Sequence, residues 1–407
     1  MASARTAADG ATSVPAMSFA STAERAAQLE LEQRTTLARR WVPVERSTAL
    51  AGPGAFRSLD LGAVPIAVVR DDNGDVHGFV NACVHRGACV LREAAGRVER
   101  IVCPYHGFTY DRAGRLTSAA ERSTFGDDLE GAGMRSIGVE ERFGWVWARV
   151  DGSGPSLASE LGPELLDELE NWPLADWTAV TARDVDCAFD WKIGVEAFLE
   201  PLHVATIHAR SAHPMVHARR AAMRRLGPHS RMALPFRVPG AFEPDGLLGA
   251  AAAAAGVVPP SSLLPVQRRA HLVYFVHPAT VLMLFPTHAL SLRFLPSAPG
   301  RCTLRYELLA PAATDDASER WRASLIPGYD ALLEEDLENL PWIERGLFSG
   351  RVDAHPLSAL EVRVAWFRDA LREDREAALL ARNEHAPGLG DDGDAHGPAA
   401  ERQDLVG

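Results

Sequence analysis

The chain has 407 residues, 47% hydrophobic and 24% charged, a length that predicts two to three domains and a sizeable core without disulfides. Its net charge of −12 and pI of about 5.6 argue against nucleic acid or an anionic membrane as partner, because both repel an acidic protein. No apolar run reaches the roughly 18 residues of a transmembrane helix.

Residues 1–17 are rich in Ala, Ser and Thr and are expected to be disordered; they lack the apolar core of a secretory signal. Five scattered cysteines (Cys83, Cys89, Cys103, Cys187, Cys302) suit free thiols in a reducing compartment, so the cytoplasm is the expected location. Residues 21–40 read as a polar helix with Ser21 or Thr22 as its N-cap. From Trp41 to about Val150, β-rich runs (PIAVVR, HGFVNAC, RIVCPYHGFTY, FGWVWARV) alternate with turn clusters such as DDNGD and DRAGR. These predict a small antiparallel β domain over 38–155. Beyond a linker at Gly152 to Pro155 and a short acidic helix, a second domain is expected over 156–380. Its predicted helices are Trp191 to Ile207, Ala323 to Leu340 and Ser358 to Glu373. Its predicted strands are Arg269 to Phe275, Val281 to Phe285, Ala289 to Leu295 and Arg301 to Leu308. The class is α+β, with helices covering one antiparallel sheet. The alanine run at 250–255 is expected as an exposed insertion, and the Gly- and Asp-rich residues 383–407 as a disordered tail.

Within the β domain, Cys83-Val-His85 is followed after 17 residues by Cys103-Pro-Tyr-His106. Thiolates can hold one iron of a [2Fe–2S] cluster while imidazoles on the other raise its potential. Gly87 and Gly107 let the backbone turn tightly beside these ligands. Cys₂His₂ also suits structural zinc, but zinc fingers offer a cysteine pair and then a histidine pair, whereas each turn here supplies one of each. The segments NACVHRGACVL, CPYHGFTYDRAGRL and RRWVPVERSTAL resemble the cluster-binding domain of Rieske non-haem iron ring-hydroxylating oxygenases, in the α (catalytic) subunit. The resemblance implies Cys83 and Cys103 on one iron and His85 and His106 on the other. Cys89 lies outside the four matched positions and is expected as a small buried residue.

A second constellation lies in DWKIGVEAFLEPLHVATIH, which carries Glu196, Glu200, His203 and His208. Two imidazoles and one carboxylate form the facial triad that leaves positions open for O₂. Strict helical geometry does not align histidines five apart, and Pro201 is placed to kink the segment. The best carboxylate is Asp336, in GYDALLEEDLENLPWIERGLFSG, a stretch that resembles the family's second iron segment; Glu334 and Glu335 are the fallback ligands. The resemblance further implies that Glu200 bridges His106 of one subunit to His203 of its neighbour, hence a head-to-tail trimer, taken without a β subunit. It implies too a helix-grip (START/Bet v1-like) catalytic domain. The sequence departs from many relatives at Ala197, at Leu202 and at Glu344, none of them a proposed ligand.

No GxGxxG follows a strand, so electrons from NAD(P)H are expected through a separate reductase, with or without a ferredoxin. The expected activity is hydroxylation of an aromatic or polycyclic substrate at mononuclear Fe(II) with O₂. Two alternatives stay open: monooxygenation of an amine, by N-demethylation or N-oxygenation, and electron carriage with a non-catalytic second domain. Met283, Phe285 and Phe294 could wall a pocket or simply fill the core. Arg210, Arg219, Arg220, Arg224, Arg225 and Arg231 could receive an acidic partner or substrate, but read first as a solvated basic face.

Overall fold

The computed structural model describes residues 12–15 and 21–384. Most of the expected disordered N-terminus and nearly all of the expected tail lie outside these residues. Thr12–Pro15 is instead a strand, paired antiparallel with Ala354–Leu357. The first helix spans Thr22–Glu32 and continues as a π-helical turn over Gln33–Leu37. Ser21 caps it: its hydroxyl accepts the Glu24 N–H at 3.2 Å, while the Glu24 carboxylate accepts the Ser21 N–H at 3.1 Å.

Three small antiparallel sheets follow. One pairs Val42–Arg46 with Trp145–Arg149 and Gly138–Arg142. A second runs in the order 76–80, 64–70, 55–61, 95–97, and a third joins 101–102, 109–110 and 116–118.

The second half is built on one seven-stranded sheet with every neighbour antiparallel. Its order is 177–187, 301–311, 289–298, 280–284, 270–276, 229–235, 222–226, so the first strand pairs with the last and the rest form a meander. The Ala270–Val276 and Thr280–Leu284 strands are buried throughout. Val273, Phe275, Val281 and Met283 face one core, and Leu272, Tyr274, Leu282 and Leu284 face the other, beside Trp145, Trp147 and the Leu157–Leu169 helix. Burial on both faces explains why the sequence alternates so poorly here, since no face needs polar residues. Helices Asp316–Leu337 and Val362–Glu384 cover the sheet; Phe367 of the latter packs edge-on to Phe275 at 5.3 Å.

The halves meet through buried polar contacts. The Trp145 indole donates to Glu307 at 3.0 Å, and Arg293 donates to the Pro43 and Val44 carbonyls.

Several expectations need correction. The helix expected over 191–207 ends at Ala197. Pro201 lacks an N–H, and the Glu200 carboxylate accepts the N–H groups of Leu202 and His203, which starts a new short turn at His203–Ala205 instead. The helix expected at Ala323 begins at Asp316, because Asp315 caps it by accepting the Ser318 N–H at 2.8 Å. The alanine run is exposed on one side only: Gly249–Ala254 is a short helix with Ala250, Ala251 and Ala254 exposed, while Ala252 packs with Ala310 and Trp321. Cys89 is exposed rather than buried. Among the described residues, no helix is long and apolar enough to cross a membrane.

Candidate metal centres

The two loops of the first half fold alike. In each, the cysteine carbonyl accepts a glycine N–H four residues on, Gly87 to Cys83 at 2.8 Å and Gly107 to Cys103 at 3.0 Å. In each, the cysteine N–H donates to a carbonyl five residues on, Ala88 and Phe108. Gly87 and Gly107 hold φ of 72° and 70°, a left-handed turn that disfavours any side chain. Repeating the turn faces the loops toward each other, with the His85 and His106 rings 4.7 Å apart. Both cysteines are buried free thiols; Cys83 Sγ lies 3.0 Å from the Tyr110 hydroxyl. His85 stacks on Phe108, and its Nδ1 is buried without a partner. Burial, then His106 and Arg86, hold the His85 pKa down, so the imidazole is neutral and free to ligate. Two thiols and two imidazoles, one carrying an orphaned buried nitrogen, fit a Rieske-type [2Fe–2S] cluster.

The second centre is assembled from distant segments. His203, His208 and Asp336 each present one ligand atom, and these lie within 4.8 Å of one another. Asp336 Oδ1 is 3.1 Å from His208 Nε2 and 3.8 Å from His203 Nε2. The other ring nitrogens are engaged by carboxylates: His203 Nδ1–H donates to Glu200 at 2.6 Å and His208 Nδ1–H to Glu335 at 2.7 Å. Holding the proton on Nδ1 leaves both Nε2 lone pairs for a metal. Burial opposes a charge on His208, but the hydrogen bonds and charges of Asp336 and Glu335 outweigh it and raise its pKa. Hydrogen bonds from Ser211 and His208 lower that of Glu335. Asp336 is buried, with Oδ2 unpartnered. A buried carboxylate oxygen with no donor, beside two imidazoles whose Nε2 atoms converge on the same carboxylate, fits a divalent cation.

The fallback ligands are thereby placed. Glu335 holds the far side of His208, and Glu334 lines a different groove with Arg183 and Tyr306. The departing positions are placed as well. Ala197 ends its helix and packs partly buried against the core, Leu202 is exposed, and Glu344 accepts the Asp190 N–H at 3.1 Å at the N-cap of that helix. Of the basic residues, Arg224 is bound to Glu164, Arg225 to Glu373 and Arg231 to Glu168.

A cavity of about 570 Å³ including its mouth opens on His203 and His208 of this cluster. Its walls are mostly apolar and include Met283 and Phe285, but not Phe294, which packs on Phe198. Sequence reasoning missed His271 and Tyr329, both in this wall. Their signal was positional: Tyr329 precedes Asp336 by two helical turns, and His271 shares strand parity with Val273.

The family description "Ring hydroxylating alpha subunit (catalytic domain)" matches residues 174–375, and "Rieske [2Fe-2S] domain" matches residues 40–126. The chain is 29% identical over 184 residues to the glycine betaine monooxygenase oxygenase subunit of Chromohalobacter salexigens, covering 45% of this chain and 40% of that protein. It is 32% identical over 193 residues to the N,N-dimethyl phenylurea N-demethylase subunit alpha of a Sphingobium species, covering 46% and 42%. The chain thus spans about two-fifths of the length of the curated relatives it matches. Its fold resembles the crystal structure of a quaternary ammonium Rieske monooxygenase in complex with an inhibitor, with a TM-score of 0.71, 17% identity, and coverage of 89% of this chain and 96% of that one.

Proposed function

The chain belongs to the Rieske ring-hydroxylating oxygenase α subunits, and from that premise we propose that it is the oxygenase component of an N-demethylating monooxygenase. The cluster of His203, His208 and Asp336 at one end of an apolar cavity carries this reading. A mere electron carrier has no use for such a site.

Iron at the triad and a [2Fe–2S] cluster on Cys83, His85, Cys103 and His106 would supply O₂ activation and single electrons. Glu200 and Glu335 keep the imidazole protons on Nδ1 and the rings in place. Phe198, Met215, Met232, Met283 and Phe285 exclude water and hold an apolar substrate against the open side of the triad. The N-methyl carbon takes one oxygen atom from O₂; the other leaves as water, consuming two electrons and two protons. The hemiaminal then breaks its C–N bond and releases formaldehyde.

Relatives acting on N-methylated compounds support an amine over the ring hydroxylation expected from sequence. His106 is exposed, and Glu200 lies beside exposed Leu202, so the reading includes a head-to-tail trimer in which Glu200 receives His106 of the neighbouring subunit. Electrons would come from NAD(P)H through a separate reductase.

The test is turnover of the reduced, iron-loaded chain with a surrogate reductase on N,N-dimethyl-N′-phenylurea and on naphthalene. Formaldehyde from the urea supports the reading; a diol from naphthalene with no formaldehyde overturns it. Glu200→Gln should keep three irons per chain yet slow turnover by about 10- to 100-fold, measured by single-turnover oxidation of the cluster.

A further inference from the structure

His271 lies on the Ala270–Val276 strand opposite Leu234, and both line the cavity that holds the triad. Its ring stacks flat on Phe285, with centroids 4.1 Å apart and planes 12° apart. Phe285 stacks in turn on His288 at 4.7 Å and 11°. The three rings fix one another's planes, so His271 cannot swing away to find a partner.

The two histidines of this stack differ. His288 is satisfied on both sides, Nδ1 by the Thr287 hydroxyl at 3.0 Å and Nε2 by the Tyr329 hydroxyl. His271 is 6% exposed, and its Nε2 is buried without a hydrogen-bond partner. A buried polar atom left unpaired is costly, and native proteins seldom keep one without a use. Apart from Glu200, His203 and His208 at the triad end and Tyr329, whose hydroxyl is bonded to His288, the rest of the lining is apolar.

Burial, then the neighbouring His288, push the His271 pKa down to about 3. The imidazole therefore offers a hydrogen bond and no charge. It makes no hydrogen bond to a quaternary ammonium group, which has no N–H to donate and no lone pair to accept with.

We propose that His271 is the polar anchor of the substrate pocket: its neutral imidazole hydrogen-bonds, through Nε2–H, the carbonyl oxygen of an uncharged N-methylated amide or urea and selects that class over quaternary ammonium compounds. The assignment rests on the cavity being the site of N-demethylation, and it names the substrate class.

Three matched probes test it by anaerobic calorimetry on the metal-loaded chain. They are N,N-dimethyl-N′-phenylurea, its hydrocarbon isostere isopentylbenzene, and phenethyltrimethylammonium. The wild type should bind the urea about tenfold tighter than either other probe, as one buried hydrogen bond allows. His271→Phe preserves the stack and should erase that preference; His271→Gln, which can present an amide N–H, should restore most of it. A preference that survives in H271F overturns the assignment, as does equal or weaker urea binding in the wild type. That second comparison decides even if H271F does not fold. The selectivity shift with no formaldehyde from any N-methyl compound keeps His271 as anchor and sinks the demethylation reading. Formaldehyde release with selectivity unchanged in H271F does the reverse.

Discussion

The two candidate centres are built on opposite plans. The four cluster residues come from two like turns, and the surface around them is open: Tyr105 is 58% exposed and Val102 50%. The triad brings together residues from a broken helix and from a helix beyond the whole sheet, and His208 and Asp336 are 3% and 2% exposed. Local turns can place ligands at a surface where a partner's electrons must arrive. Only long-range packing can place them at the end of a largely apolar cavity. The contrast predicts that the first centre is autonomous and the second is only as stable as the sheet around it.

Breaking the buried centre should have the largest effect. Asp336→Ala is expected to lower iron from three to two per chain and abolish turnover while leaving the cluster's visible absorption intact; a third iron retained in that variant would remove Asp336 from the site. Glu335→Ala comes next. It keeps all three proposed ligands but frees His208 Nδ1, and iron affinity at the triad should fall about 10-fold or more. Metal titration of the apoprotein reads it, and the cluster's absorption should again not change.

Acid should separate the two halves. Burial holds His229, His271 and His288 near a pKa of about 3, against about 6.5 in the unfolded chain. All three belong to the seven-stranded half. For His229 the geometry shows why: Nε2–H donates to the Glu160 carbonyl at 2.9 Å and Nδ1 accepts the His277 N–H at 3.0 Å, leaving no room for a second proton. A depressed pKa means the folded form resists a proton that the unfolded form takes. Stability is therefore full above about pH 6.5 and is lost as pH falls toward 3. At pH 5 each such histidine costs about 2 kcal/mol. Hydrogen exchange, corrected for its intrinsic rate, should accelerate between pH 7 and 5 in strands 270–284 and much less in 64–80. Equal acceleration in both would erase the distinction.

The smallest effect tests the surface centre. Tyr110→Phe removes the hydroxyl beside Cys83 Sγ. Losing about 1 kcal/mol of hydrogen bonding to the reduced cluster should lower its potential by roughly 40 mV, measured by redox titration of the cluster's absorption, with iron content unchanged.

What could be read from sequence follows the same division. Cys83, His85, Cys103 and His106 stand out because ligands and turn glycines are contiguous, so the pattern is the geometry. His203, His208 and Asp336 could be nominated, but their meeting depends on the chain leaving the helix at Ala197, ahead of Pro201, and turning again at His203, where Glu200 accepts two backbone N–H groups. Glu335 was legible only as a spare ligand, since its role depends on which side of His208 it reaches. His271 was invisible because a strand buried on both faces has no polar rhythm for a histidine to interrupt. The alanine run was only half legible because composition does not reveal that Ala252 packs against Trp321.

His208 and Glu335 meet across 127 residues of chain, a stretch that holds six of the large sheet's seven strands. An ion held at the triad in the folded chain alone is therefore a clasp on a very long loop. At a free metal concentration 100 times its dissociation constant, it adds about 2.7 kcal/mol to the work of unfolding. Chelation then becomes a question of abundance as much as of activity. Protein stripped of iron should melt at a lower temperature and yield sooner to proteases, so a cell short of iron would lose the polypeptide along with the reaction.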